Sequence, residues 1–260
     1  MTARPRGLPG LMVAPNGARL GPADHPALPV TVEATVACAV ACHAAGADGL
    51  HAHVRDADGR HVLDAGLYRE LIAETARRVP DMQVQVTTEA VGRYTAAEQR
   101  ALIRDLRPAS VSVALREITS DADDAANRRL WSDMGEAGML CQHILYAPED
   151  VQHLAHLVRR GDLPADGLAV LYVLGRYTEG QQSAPSDLDP FLACAKAEGL
   201  DPDWAMCAFG RDETACLSAG LRKGGKVRVG FENNRLMASG DIARDNAERV
   251  REIRSILGGA

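Results

Sequence analysis

The chain has 260 residues, 46% of them hydrophobic and 4% aromatic, and carries a formal net charge of −6. The scarcity of aromatics and the dispersal of Arg and Lys exclude a nucleic-acid binder built on base stacking or a basic stripe. No stretch approaches the ~20 apolar residues of a membrane span, and residues 1–10 lack the apolar run of a signal peptide, so a cytoplasmic protein without a membrane partner is expected.

In chain order, short β-rich runs alternate with helical periodicity. The first predicted strand, residues 11–15, is followed by a loop containing Gly and Pro and a helix over 31–45. A second run at 49–54 precedes a helix over 65–78, which Pro80 closes. Residues 82–87 lead to a helix over 96–106 whose cap is Thr95. The same strand-then-helix unit recurs at 110–114 and 123–137, at 140–145 and 149–160, and at 168–174 and 187–198. It closes with 205–209 and 212–222, then 227–231 and 242–257. Eight units without a linker or a change of composition predict a (β/α)₈ TIM barrel, a single domain over residues 1–260. An open doubly wound sheet is the alternative, but no G-x-G-x-x-G follows the first strand. The six cysteines (Cys38, Cys42, Cys141, Cys194, Cys207 and Cys216) form no C-x-x-C pair, so free thiols are expected, with Cys38 and Cys42 on one helix face.

In such a barrel, chemistry collects where the strands end. Polar residues gather there: Asn16 and Arg19 after the first strand, Thr87, Thr88 and Glu89 after the third, Ser112 on the fourth, Gln142 and His143 on the fifth. Arg176 follows the sixth strand, Arg211 the seventh, and Glu232, Asn233 and Asn234 the eighth. Loops are polar in general. That does not account for two histidines within Gly49-Leu50-His51-Ala52-His53-Val54.

Two residues apart on a strand, His51 and His53 point to the same face. Unpaired imidazoles inside a narrow barrel are unfavourable, and binding a divalent ion through neutral imidazole turns that penalty into coordination. Glu232 is placed to be the third ligand, because strands two and eight flank strand one and contribute to the same interior layer. His143 is a rival from an odd-numbered strand. Three protein ligands with an open position describe a catalytic site for Zn²⁺, or for another divalent ion.

The block His51-Ala52-His53-Val54-Arg55-Asp56, together with Asn16-Gly17-Ala18, Thr87-Thr88 and Arg228-Val229-Gly230-Phe231-Glu232-Asn233-Asn234, resembles the β-keto acid cleavage enzyme family. The resemblance spans the chain. It implies a homo-oligomeric (dimeric or tetrameric) barrel that binds Zn²⁺ and converts a β-keto acid and acetyl-CoA into acetoacetate and a new acyl-CoA. It also implies that Arg228 pairs with an aspartate to deprotonate substrate. Here that aspartate reads Asn233, which cannot accept a proton as a carboxylate does. An acidic residue common in strand five reads Gln142, and a glutamate that receives a substrate amine reads Arg19. The resemblance thus assigns Arg228, Asn233 and Gln142 to the catalytic positions, and Arg19 predicts a substrate without a free amine.

Asn16, Thr87 and Ser112 are expected to contact substrate, and Arg211 a CoA phosphate, since the loops after strands seven and eight often bind phosphate in barrels. Two other functions compete: a metal-dependent keto-acid lyase or hydrolase that needs no CoA, and a metal- and ligand-binding barrel without catalysis, for which the neutral Asn233 and Gln142 speak.

Overall fold

Side chains alternate across each strand, and here the alternation is apolar on one face and mixed on the other. Eight parallel strands pair in the order β1-β2-β3-β4-β5-β6-β7-β8 and close into a barrel. They are β1 (Leu11–Val13), β2 (Gly49–Ala52), β3 (Gln83–Thr87), β4 (Ser110–Ala114), β5 (Leu140–Leu145), β6 (Ala169–Leu174), β7 (Asp203–Ala208) and β8 (Lys226–Val229). The computed structural model describes residues 7–258, so both ends of the expected 1–260 domain lie outside the described residues. Among the described residues no helix is long and apolar enough to cross a membrane.

The helices are α1 (Val32–Ala44), α2 (Ala65–Arg78), α3 (Ala96–Leu106), α4 (Leu115–Ile118), α5 (Asp124–Ala137), α6 (Pro148–Arg159), α7 (Asp189–Ala197), α8 (Glu213–Arg222) and α9 (Asn246–Gly258). Local chemistry sets several starts. Thr31 caps α1 by accepting from Ala34 N at 3.1 Å. Thr95 and Glu98 cap each other's backbone at the start of α3, as the S/T-x-x-E spacing requires. The single turn α4 is too short to show a helical period in the sequence. The last helix starts later than expected, because the chain first folds back through a bridge between Leu236 and Ile242.

The two faces of the barrel bury different residues. Leu50, Val86, Val113, Val170 and Val227 point outward and pack under the helices in the main core. Each such side chain contributes roughly 1.5–3 kcal/mol of apolar burial. Ala114, Ile144, Leu171, Val173 and Cys207 point inward and form a separate cluster inside the barrel. This phase removes the rival third ligand. His143 belongs to the outward face, edge-on to Trp131 of α5 with ring centroids 6.2 Å apart, and is no candidate ligand. All six cysteines are free, and the Cys38 and Cys42 sulfurs lie 3.8 Å apart on α1.

Candidate metal centre

β2 carries His51, and His53 follows at its end; both rings point into the barrel with 1% of their surface exposed. Their Nε2 atoms are 3.2 Å apart. Glu232 arrives from the loop beyond β8 because the chain bends at Gly230, where φ is 143° and a Cβ would stand 2.4 Å from the Ala14 carbonyl oxygen. Glu232 N then donates to that same carbonyl at 3.1 Å. Gly17, in the β1 loop, crosses directly above: a Cβ there would lie 2.7 Å from Glu232 Cγ. The two glycines of the Asn16-Gly17-Ala18 and Gly230-Phe231-Glu232 strings therefore serve one close approach.

Glu232 Oε2 lies 3.6 Å from His51 Nε2 and 3.7 Å from His53 Nε2. It is buried without a hydrogen-bond partner. Ligands about 2.0–2.1 Å from a tetrahedral ion stand roughly 3.3 Å from one another, close to these separations. The ligand atoms of His51, His53 and Glu232 all fall within 4.8 Å of each other. Burial lowers His51 to about 4, with help from Arg228 and against Glu232. Burial also holds His53 well below the ordinary imidazole range, reinforced by His61 and His51. Both rings are thus neutral at physiological pH, the form that binds metal. An orphan carboxylate oxygen and two neutral imidazoles converging in a buried space fit a divalent ion with N,N,O ligands.

Neighbouring contacts hold the ligands in place. His51 Nδ1 is 2.8 Å from Gln85 Oε1, and Gln85 Nε2 donates to Gln142 Oε1 at 2.9 Å. His53 Nδ1 faces His61 Nδ1 at 3.4 Å, while His61 Nε2 is 3.0 Å from the Glu89 carbonyl. Arg55, the arginine of the H-x-H-x-R block, donates to the carbonyls of Asn16, Gly17, Leu20 and Gly59 and so clamps the β1 loop over the site.

The expected site residues divide. Arg228, 3% exposed, donates to Glu232 Oε1 at 3.3 Å and to Cys207 Sγ at 3.4 Å, and its Nε and Nη1 have no partner. Burial alone would lower its guanidinium, but Cys207 and Glu232 outweigh this and keep it charged. Thr87 and Arg228 line an inner cavity with His51, Glu89, Tyr146 and Glu232. Arg19 and Arg211 line an outer cavity of about 920 Å³ at the mouth.

The remaining expected residues make other contacts. Asn16 donates to the carbonyls of Pro29 and His53 and accepts from His53 N, so it fastens the loop to β2, and it lines the outer cavity. Ser112 is fully buried, its hydroxyl 3.5 Å from the Val86 carbonyl, and is not on the inner cavity wall. Gln142 lies below the cavity, bonded to Gln85 and to the Val170 carbonyl. Asn233 donates to the carboxylate of Glu213 at 3.2 Å and to the Arg228 carbonyl at 3.3 Å. Glu213 in turn pairs with Arg249 at 2.7 Å, both with no exposed surface. An aspartate at 233 would set two carboxylates against each other.

Glu89 is the residue that received no role from the sequence. Its Oε2 is 3.8 Å from His53 Nδ1, and its Oε1 is 3.2 Å from Arg19 and 3.6 Å from Arg176. Burial raises its carboxyl to about 7, with a further push from Glu232 and opposition from Arg19. The signal was parity: residue 89 lies two positions beyond the inward Thr87. Arg19 itself is half exposed and already paired, so its charge is partly neutralised.

The family model described as "BKACE: beta-keto acid cleavage enzyme" matches residues 10–260. A 3,5-dioxohexanoate:acetyl-CoA acetone transferase of Paraburkholderia graminis is 26% identical over 277 residues, covering 95% of this chain and 88% of that protein. A 3-keto-5-aminohexanoate cleavage enzyme of Fusobacterium nucleatum is 25% identical over 243 residues, covering 91% of this chain and 86% of that protein. Among solved structures, ObcA in its binary complex with oxaloacetate superposes with a TM-score of 0.71 at 18% identity, over 90% of this chain. The matched fold spans 64% of the ObcA chain.

Proposed function

The chain belongs to the beta-keto acid cleavage enzyme family, and from that premise we propose that it is a metal-dependent acyltransferase acting on a β-keto acid and acetyl-CoA. The products are acetoacetate and a new acyl-CoA. The observation that carries this reading is the convergence of His51 Nε2, His53 Nε2 and the orphan Glu232 Oε2 on one point inside the barrel mouth. When bound there, a divalent ion, with Zn²⁺ the best match to two imidazoles and one carboxylate, supplies Lewis-acid polarisation of the keto acid's chelating oxygens.

The bond changes balance without an added oxidant or reductant. A proton leaves C2 of the keto acid, C2 bonds to the acetyl carbonyl carbon, and the CoA thiolate is released. The thiolate adds to the original keto carbon, the C2–C3 bond breaks, and a proton returns to C2. Glu89 faces the same cavity as Arg228 and Thr87, and it is the carboxylate outside the ligand set that can hold this proton. That gives Glu89 the task which Asn233, bonded to Glu213, lacks the chemistry to perform. Arg228 offers its unpartnered Nε and Nη1 donors to the enolate oxygen or the substrate carboxylate. Thr87 donates its hydroxyl to a substrate oxygen.

Three guanidiniums (Arg228, Arg19 and Arg176) stand against the carboxylates of Glu232 and Glu89, before any ion adds its own charge. That balance favours an anionic or hydroxylated substrate tail over an ammonium group. The outer cavity is the path for the CoA arm, with Arg211 as a phosphate contact.

The test is turnover by metal-loaded protein of a panel of β-keto acids, with and without acetyl-CoA, with acetoacetate and the acyl-CoA product followed by mass. Formation of both products only when acetyl-CoA is present is expected. Cleavage that proceeds without acetyl-CoA would assign a lyase or hydrolase instead, and no turnover across the panel would leave a binding barrel.

A further inference from the structure

We propose that Gln85 and Gln142, neither of them a ligand, set the tautomer of His51 and hold its Nε2 bare for a metal ion. The proposal rests on the metal reading above and adds to it how the site is kept ready before the ion arrives.

The chain of hydrogen bonds begins at a group with one possible role. The Val170 carbonyl can only accept, so Gln142 must present Nε2 to it, which it does at 3.2 Å. That orientation turns Gln142 Oε1 toward Gln85, whose Nε2 donates at 2.9 Å. Gln85 Oε1 is then left facing His51 Nδ1 at 2.8 Å and can only accept. The proton of the neutral imidazole therefore sits on Nδ1, and Nε2 keeps its lone pair. Amide orientations and imidazole tautomers are ambiguous when a network has no fixed end, but here a backbone carbonyl on β6 dictates every link back to β2.

Burial makes the polarity strict. Gln85 is 0% exposed, while Gln142 and His51 are each 1% exposed, so no solvent can rescue a reversed link. Reversing any one link would set two acceptors or two donors against each other and leave buried polar groups unsatisfied. The interior of a barrel is ordinarily filled by branched apolar residues. Two neutral amides bonded end to end, with both polar atoms of each satisfied, are explained by what stands at the end of the series. A carboxylate at position 85 would orient the ring equally well, but it would bury a charge that the amide avoids.

His61 has the corresponding relation to His53. It donates from Nε2 to the Glu89 carbonyl and leaves Nδ1 to accept from His53 Nδ1. Two bare Nε2 atoms 3.2 Å apart, with Glu232 Oε2 beside them, make a cluster of acceptors that a cation relieves.

The experiment has three arms. In the metal-free parent, a long-range ¹H–¹⁵N spectrum should show His51 protonated at Nδ1 with an unprotonated Nε2; an Nε2–H tautomer overturns the proposal, whatever any variant does. In Gln85→Leu, competition with a chromogenic chelator for Zn²⁺ should show affinity about 10–100-fold weaker than the parent, with the Nδ1–H tautomer no longer dominant. A folded Gln85→Leu with the parent's affinity and tautomer would refute the relay. Should Gln85→Leu fail to fold, the parent spectrum decides alone. His51→Ala separates the two levels. If it keeps stoichiometric Zn²⁺, the metal reading itself fails; if it loses the metal while Gln85→Leu does not, only the relay fails.

Discussion

His51 and His143 are the same residue on strands of the same barrel. Both are almost wholly buried, and burial lowers both to about 4. Their surroundings differ in kind. His51 faces inward, with Nδ1 bonded to Gln85 and Nε2 turned to His53 and Glu232. His143 faces outward against Trp131, and its Nδ1 has no partner. The face of the strand, not the residue or its burial, separates a ligand from a packed ring. On the inner face, neighbours supply an acceptor for one nitrogen and leave the other free; on the outer face, the apolar layer supplies neither.

The comparison predicts opposite outcomes for similar substitutions. His51→Ala should abolish stoichiometric metal binding and lower turnover by at least ~10³-fold, since the ion's Lewis-acid contribution goes with it; metal analysis and a single-substrate assay check this. His143→Phe should keep metal content and turnover at parent levels, so a loss of bound metal there would break the contrast.

Stability against pH sharpens the same point. The unfolded chain protonates His143 near 6.5, while the folded chain resists until about 4, so the unfolded state binds more protons between those values. Stability is whole above about 6.5 and is lost as pH falls toward 4, by up to about 3 kcal/mol from this residue. Urea unfolding at a series of pH values should show His143→Phe losing less stability than the parent across that window, by a similar amount.

Asn233 tests the reverse case, a residue at the site whose contacts are structural. Asn233→Asp would place a carboxylate 3.2 Å from that of Glu213. A destabilisation of about 2 kcal/mol or more, with no gain in rate, is expected. Pairing it with Glu213→Gln should recover part of the stability. A faster Asn233→Asp enzyme would return the proton-transfer role to this position and remove it from Glu89.

The smallest effect belongs to the rim. Arg19 is half exposed and paired with Glu89, so Arg19→Glu should change preference between ammonium-bearing and anionic keto acids by roughly tenfold, measured as a ratio of kcat/KM. Unchanged selectivity would assign Arg19 to solvent.

Much of this was legible because it is local. The i, i+2 spacing of His51 and His53 settles that they share a face, since strand alternation needs no tertiary information. Thr95 and Glu98 announce a helix start for the same reason. The eight strand–helix units required only that the hydrophobic period be read along the chain.

Other features depended on phase and closure. Gln142 and His143 are adjacent, and which of them points inward depends on how β5 docks between β4 and β6. Asn16 reads as a substrate contact and the resemblance puts Asn233 at a catalytic position; the His53 carbonyl and the Glu213 carboxylate that occupy them come from other elements of the barrel. Glu89 had the right parity beyond Thr87, but its meeting with Arg19, Arg176 and His53 brings together the loops of four strands. The sequence by itself therefore determined which residues share a strand face and which helices begin where, because those follow from one chain's dihedral period. Only the closed barrel decided that Glu232 meets His51 and that a carbonyl on β6 orients a ring on β2, because side-chain polarity is set by partners brought together across the sheet.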